Sequence, residues 1–213
     1  MAIDFYYGSG SPYAWRVWLA LEHKQLAYTL HVLSFASGDT RKPDFLAINP
    51  RHQVPAIVDA GFALHESNAI CEYLDEAHPA RPLLPKTPKE RAIARRMVLE
   101  ADHHLAAAGN LVARQVFFKP EAEWDAKVID EGRTKLLEEL AIWERAAANG
   151  WLVGDAPGLA DHALYPFLAT FPRYEKKKPD LALSTSLGPN LAAWMKRVEA
   201  LPYLAKTTPP HWK

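Results

Sequence analysis

The 213-residue sequence lacks most of the features that would place it in a specialised class of protein. It has one cysteine, Cys71, which excludes an internal disulfide, a CxxC zinc site and a dithiol redox site. Its 25 basic residues balance its 25 acidic residues, so nothing points to nucleic acid or an anionic membrane as the main partner. No apolar run reaches the ~18 residues needed to span a bilayer. The first residues lack a basic stretch followed by an apolar run, so we expect no signal peptide and a cytoplasmic location.

Metal-binding patterns are also missing. The nine histidines form no HExxH or Cys/His pattern. The adjacent residues His103 and His104 project from different parts of a helix surface. We therefore expect no metal site. What the chain does have is a hydrophobic content of 49%, ample for a folded core.

Short β-prone and helical runs alternate over the first eighty residues. Their order, β-α-β-α-β-β-α, predicts a mixed four-stranded sheet with helices on its faces. The predicted strands are 3–7, 28–33, 54–58 and 62–64, and the predicted helices are 12–24, a turn near 44–46, and 66–77.

The rest of the chain is predicted to be a proline-rich linker followed by helices. Prolines at 79, 82, 85 and 88 indicate a linker, because proline removes a backbone donor and breaks helices. Beyond it, apolar residues recur at steps of three and four, which is typical of amphipathic helices. The predicted helices are 93–116, 129–147, 159–171 and 190–200. We expect an α/β domain at 1–78, a linker at 79–87 and an all-helical domain at 88–213.

Three segments carry residue types that suit chemistry. In the first, Ser9 to Arg16, hydroxyl groups precede a strand-to-helix turn, where backbone N–H groups and the helix dipole favour an anion. A thiolate gains from that location, but the segment has no cysteine, so the thiol would come from a ligand. Pro12 suits the first position of the helix. The alternative is that Ser11 serves only as the N-cap.

The second segment contains Val54 and Pro55 at the start of an apolar strand. Proline is confined to strand starts and edges, and such a turn is a site where a cis peptide bond occurs. A cis bond would leave the N–H and C=O of Val54 for a peptide-like ligand, as in β-strand addition. An ordinary strand start is the alternative.

The third segment contains Glu66 and Ser67 at a helix start. Free amide hydrogens there can bind a carboxylate, and Glu66 can hold an ammonium group. The alternative is that Glu66 only interacts favourably with the helix dipole.

Together the three segments resemble the glutathione transferase superfamily, and the resemblance covers essentially the whole chain. It implies a thioredoxin-like N-terminal domain and an all-helical C-terminal domain. Ser11-Pro12-Tyr13-Ala14 falls where the thioredoxin-like fold carries Cys-Pro-x-x, and the following Trp15-Arg16-Val17 gives the register of a serine-type, bacterial-like member with a zeta- or theta-like active-site segment. Asp161 of Gly158-Leu159-Ala160-Asp161 is similar to the acidic residue of the family's capping box, with Gly158 in place of the hydroxyl residue.

The resemblance implies roles for individual residues. Ser11 would stabilise the glutathione thiolate, with Ser9 as the substitute candidate, because delta- and theta-like members place the hydroxyl two residues before the proline, at Gly10 here. The residues implied to bind glutathione are His52, Gln53, Val54, Pro55, Glu66 and Ser67. A hydrogen bond to an anion is worth roughly 1.5–3 kcal/mol. It would lower a thiol pKa of about 8.5 by about one to two units.

The electrophile is expected on apolar surface between the domains. The candidates are Tyr7, Tyr13, Arg114, Phe117 and Phe118, with Trp212 as a weaker one. Each aromatic has a core role as its alternative, because aromatics at helical spacing usually pack in cores.

The implied function is a cytoplasmic, homodimeric glutathione transferase that conjugates glutathione to apolar electrophiles, as in detoxification. The helices after Glu66 and from Pro88 onward would form the dimer interface. One alternative is a glutathione-dependent isomerase or dehalogenase. Another is a non-catalytic protein that keeps the fold for ligand storage or partner docking. A thiol–disulfide oxidoreductase is disfavoured because position 11 is not cysteine.

Overall fold

The computed structural model describes residues 2–209 and Trp212. The chain divides into two compact units. The first comprises Met1–Leu84 together with Leu201–Lys213, and the second comprises Pro85–Ala200. No helix in the described part of the chain combines the length and the apolar character needed to cross a membrane.

The first unit is built on a four-stranded mixed sheet, which confirms the predicted α/β arrangement. The spatial order is β2-β1-β3-β4, in which β1 and β2 are parallel and the pairs β1–β3 and β3–β4 are antiparallel. The strands are β1 (Ile3–Gly8), β2 (Tyr28–Leu33), β3 (Ala56–Asp59) and β4 (Phe62–His65).

Three helices cover the sheet. They are α1 (Pro12–His23), α2 (Pro43–Ile48) and α3 (Ser67–Ala77). Alternation along β1 sends Phe5 and Tyr7 to one face, where both rings contact Trp18 of α1. Tyr6 points to the other face and packs against Phe45 of α2. The sheet is therefore covered on both faces, and the turn after β1 opens directly into α1.

Residues 79–84 are anchored to the first unit by a buried ion pair. Lys24 at the end of α1 approaches Asp75 of α3 with Nζ 3.0 Å from Oδ1. Asp75 also accepts the N–H groups of Leu83 at 2.6 Å and Leu84 at 3.3 Å. Two thirds of the segment predicted as a linker, residues 79–84, is thus held by the side chains of Lys24 and Asp75.

The second unit is helical, as predicted. Its α-helices are α4 (Pro88–Glu100), α5 (Ala106–Val116), α6 (Ala126–Ala146), α7 (Leu159–Leu168), α8 (Phe171–Lys177) and α9 (Pro189–Glu199). A capping box between Thr87 and Glu90 begins α4. Gly132 of α6 permits close packing on α5, since a Cβ there would lie 2.9 Å from Leu111 and Val112 side-chain atoms.

Two predicted helices differ from the structure. The helix predicted over 93–116 contains a π-helical turn, Ala101–Leu105, between α4 and α5. Apolar steps of three and four residues indicate a helix but do not distinguish an α-helical turn from a single π-helical one. The helix predicted over 159–171 ends at Leu168, and α8 restarts with Pro172 in its first turn.

All ten residues of α7 are buried. At its start, Asp161 accepts hydrogen bonds from the Gly158 N–H at 2.9 Å, the Leu152 N–H at 3.1 Å and the Trp194 indole N–H at 2.7 Å. The acidic half of the expected capping box is therefore present, and Gly158 serves as the N-cap without a side chain. Burial raises the pKa of Asp161 to about 6, although these three donors favour its ionised form.

Residues after α9 return to the first unit. We expected residues 88–213 to form one helical domain, whereas the described segment 201–209 groups with the first unit and connects to α1. It includes a short helix, α10 (Leu204–Thr207). One of its links to α1 is a buried hydrogen bond in which the Trp15 Nε1–H donates to Thr207 Oγ1 at 3.0 Å.

Candidate active site

Ser11 lies at the turn between β1 and α1, with its hydroxyl at the helix start. Its N–H donates to the Gly8 carbonyl at 3.1 Å, and its Oγ accepts the Ala14 N–H at 3.2 Å. The N-cap interpretation of Ser11 is therefore confirmed. A serine hydroxyl has one proton and two acceptor positions. Capping uses an acceptor position, so it is compatible with donation of the proton to a ligand anion.

Tyr7 and Ser9 precede Ser11 in the chain, at the end of β1 and in the turn that follows it. Tyr7 is 1% exposed, so its ring belongs to the core and is withdrawn from the electrophile-binding set. Its oxygen is buried and has no hydrogen-bond partner of standard geometry in the described part of the chain. Burial raises the pKa of Tyr7, and the nearby Ser9 hydroxyl and Gly10 backbone offset part of that effect.

The Val54–Pro55 peptide bond is cis. Pro55 is buried, Val54 is half-buried, and within residues 2–209 and Trp212 no hydrogen bond reaches the Val54 backbone. The loop before it is shaped by the buried Asn49, whose side chain donates to the Gln53 carbonyl at 2.8 Å and accepts the Arg51 N–H at 3.0 Å. The segment thus presents free backbone groups of the kind that pair with an extended peptide.

Glu66 and Ser67 join β4 to α3. Glu66 is exposed and has φ 73° and ψ 112°, a conformation that non-glycine residues rarely adopt. Such backbone strain costs about 1–3 kcal/mol and is concentrated at functional sites. Ser67 is buried at the first position of α3. The strained turn holds the Glu66 carboxylate in solvent at the start of the helix.

A buried arginine connects this turn to the first helix. Arg16 has no exposed surface, and its Nη1 donates to Ser67 Oγ at 3.2 Å and to Asn68 Oδ1. Its guanidinium also lies over the Tyr13 ring, 5.6 Å from the centroid. A positive charge here favours anionic ligand groups near the start of α3. Sequence reasoning used Arg16 only to set the register, although a charged residue inside the apolar run from Trp15 to Leu21 was a signal.

Phe35 is a second residue that the sequence left unassigned. Its side chain is 55% exposed. A Cβ built on Gly8 would lie 2.4 Å from Phe35 Cζ and 2.9 Å from Val54 Cγ2. Because Gly8 has no side chain, the exposed Phe35 ring and the Val54 side chain both pack against its backbone. Gly8 is the last residue of β1, and its carbonyl accepts the Ser11 N–H. No local pattern in the sequence revealed the contact of Phe35 with Gly8.

The remaining predicted residues are distributed over both units. His52 and Gln53 are exposed on the loop before the cis bond. In the second unit, Arg114 is exposed on the last turn of α5, and Phe118 is 80% exposed. Phe117 is half-buried, with its ring 5.3 Å from that of Tyr174.

Two further predictions concern Trp212 and metal binding. Trp212 packs edge-on against Trp15, with 5.1 Å between ring centroids. Within the described residues, no group of three or more His, Cys, Asp or Glu side chains is placed to hold a metal ion.

Comparison with known proteins gives the family. A model of the glutathione S-transferase N-terminal domain matches residues 10–77, and a model of the glutathione S-transferase C-terminal domain matches residues 108–202. The chain belongs to the glutathione transferase family. This confirms the resemblance carried by the segments around Ser11, Pro55 and Glu66, and with it the thioredoxin-like first domain.

Individual relatives agree with this assignment. Glutathione S-transferase 3 of Zea mays is 31% identical over 92% of this chain and 89% of the relative. A probable maleylacetoacetate isomerase of Vibrio cholerae is 31% identical over 93% of this chain and 92% of the relative. The structure of a glutathione S-transferase from the Antarctic clam Laternula elliptica has a TM-score of 0.83 at 27% identity and covers 100% of this chain and 94% of that one.

Proposed function

We propose that this family member binds glutathione in its first unit and conjugates the thiolate to apolar electrophiles, with Ser11 as the activating residue. The observation that carries the proposal is the geometry of Ser11. Its Oγ accepts the Ala14 N–H through a lone pair, so the hydroxyl proton can be donated to a sulfur anion at the start of α1.

The surroundings of Ser11 support binding of a tripeptide. The free backbone groups of Val54 suit an extended peptide, and the exposed His52 and Gln53 lie beside them. Glu66 and the N-terminus of α3 suit the ammonium and carboxylate of a γ-glutamyl group. Arg16 fixes this turn through Ser67 and adds positive charge.

The reaction needs no group beyond the two substrates. The thiol proton passes to solvent, and the Ser11 O–H stabilises the thiolate that remains. The sulfur electron pair then forms a C–S bond with the electrophilic carbon, and the leaving group departs with its bonding pair. We assign the electrophile to the partly exposed aromatic side chains of the first unit, Tyr13 and Phe35.

The test separates hydroxyl donation from helix capping. Ser11→Ala removes both, whereas Ser11→Gly keeps a residue that is tolerated at an N-cap, adds no charge and cannot donate a proton to the sulfur. We expect kcat/KM with an activated aryl halide to fall about 10- to 100-fold in both variants, the range that one to two pKa units produce. The matched control Ser9→Ala is expected to retain activity. A fully active Ser11→Gly would contradict the assignment, and an absence of glutathione binding to the native protein would favour a storage or docking protein.

An isomerase is the second candidate, because the Vibrio cholerae relative is named a probable maleylacetoacetate isomerase. In that reaction the thiolate would add to a conjugated double bond, allow rotation, and leave again, so glutathione would be regenerated. Following glutathione consumption against product formation with a cis-configured conjugated diacid separates the two reactions.

We also propose a homodimer in the cytoplasm. The family supports this, and so do Ile93 and Leu99 on α4, which are 43% and 52% exposed. Light scattering over a range of protein concentrations tests the dimer. A mass of one chain at every concentration would contradict it.

A further inference from the structure

The segment of residues 201–209, called here the returning segment, runs along α1. At the C-terminal end of α1, the Tyr203 hydroxyl lies 3.2 Å from His23 Nδ1. Lys206 Nζ lies 2.5 Å from Glu22 Oε1. Closer to the start of α1, Thr207 Oγ1 accepts a hydrogen bond from the Trp15 indole N–H. The returning segment is therefore connected to α1 from its last turn to its first.

The Trp15–Thr207 contact is the most enclosed of these connections. Trp15 is 1% exposed and Thr207 has no exposed surface. The Thr207 Oγ1–H donates to the Leu204 carbonyl at 3.0 Å, which orients a lone pair toward the indole N–H of Trp15. Because both groups are buried, neither can exchange its partner for water.

Trp15 is tied directly to the residue that the proposed function uses. Its backbone N–H donates to the Ser11 carbonyl at 3.0 Å, and the N–H of the preceding residue, Ala14, donates to Ser11 Oγ. The next residue, Arg16, reaches Ser67 of α3. Two adjacent buried side chains thus hold the first turns of α1, one through α3 and one through the returning segment.

We propose that Thr207 is a positioning residue for Ser11. By holding the Trp15 indole it fixes the first turn of α1, and with it the direction in which the Ser11 proton points. The inference rests on the proposed function of Ser11. It assigns a role in thiolate activation to a residue almost two hundred positions away that touches no substrate.

The experiment measures the thiol pKa of bound glutathione and its dissociation constant in four variants. Thr207→Val removes the acceptor but keeps the shape, and Thr207→Ser keeps the acceptor. Thr208→Val is the matched control, since Thr208 donates to the same Leu204 carbonyl at 3.0 Å. The double variant Trp15→Phe/Thr207→Val removes both partners, so no buried donor is left unpaired.

We expect Thr207→Val to raise the thiol pKa by about 0.5 unit or more, which is about a threefold loss of thiolate well below the pKa. The dissociation constant of glutathione should change less, because the groups at Val54 and Glu66 are untouched. Thr207→Ser and Thr208→Val should keep the native pKa. The double variant should regain thermal stability and yet keep the raised pKa, which a purely structural role would not produce.

Three results would overturn the inference. If the double variant restores the pKa together with stability, the effect of Thr207→Val came from the unpaired indole and not from positioning. If the thiol pKa of glutathione bound to the native protein is below the free value and no Thr207 variant changes it, the proposed function stands and the role of Thr207 is refuted. If bound glutathione in the native protein has the pKa of free glutathione, both fall together.

Discussion

Replacing Lys24 by methionine should destabilise the first unit strongly. The Lys24 side chain has no exposed surface and that of Asp75 is 6% exposed, so the change leaves a carboxylate without its cation in a buried place. Removing one partner of a buried pair costs about 3–5 kcal/mol. We expect the lower end, about 3 kcal/mol, because Leu83 and Leu84 still donate to Asp75.

Urea unfolding measures this loss. With a slope of about 2 kcal/mol per molar, the midpoint should fall by about 1.5 M. Amide exchange at Leu83 and Leu84 gives a local readout, since these N–H groups donate to Asp75. The double variant Lys24→Met/Asp75→Asn removes the uncompensated charge and should recover part of the stability. A loss below about 1 kcal/mol in Lys24→Met, or a double variant no more stable than the single one, would refute the reasoning.

Three further predictions concern other sites. Because the folded-state pKa of Asp161 is raised to about 6, its contribution to stability is full below the unfolded pKa and is lost as pH rises through about 6. The native protein should therefore lose about 2 kcal/mol relative to Asp161→Asn between about pH 4.5 and 7.5, in urea titrations. If the stability difference between the native protein and Asp161→Asn stayed constant or changed in the opposite direction, the hydrogen bonds from Leu152, Gly158 and Trp194 would outweigh the effect of burial on the Asp161 pKa. Glu144→Ala should lower stability by about 1–2 kcal/mol in thermal unfolding, because its carboxylate accepts the N–H groups of Asn190 and Leu191 at the start of α9. An unchanged melting temperature would exclude that capping role. Gly8→Ala should weaken glutathione binding in calorimetry, since its Cβ would displace Phe35 and Val54; equal affinity would show that the Gly8 approach is unimportant.

Local chemistry predicted the elements that position the site. Pro12 after Ser11 predicts a helix start, and the structure has α1 beginning at Pro12 with Ser11 as its cap. The position of Pro55 at the start of an apolar strand made it a candidate for a cis bond, with an ordinary strand start as the alternative, and the Val54–Pro55 bond is cis. These features depend on residues within a few positions of each other, and such features are readable from a sequence.

Contacts between distant segments were not predictable in the same way. The Arg16 link to Ser67, the Phe35 contact with Gly8 and the Thr207 link to Trp15 join residues far apart in the chain. The core role of Tyr7 also depends on α1 packing, through Trp18. Periodicity gives the face on which a residue lies, but not the segment that comes to cover that face.

The most direct test of the central claim is the ultraviolet titration of the thiolate of bound glutathione in the native protein and in Ser11→Gly. The proposed function predicts a native pKa about one to two units below that of free glutathione. In Ser11→Gly, which weakens the helix start by only a few tenths of a kcal/mol and adds no charge, it predicts a return toward the free value. A lowered pKa that survives the substitution would contradict the role of Ser11 and transfer thiolate stabilisation to Ser9, to Tyr7 or to backbone amides at the start of α1.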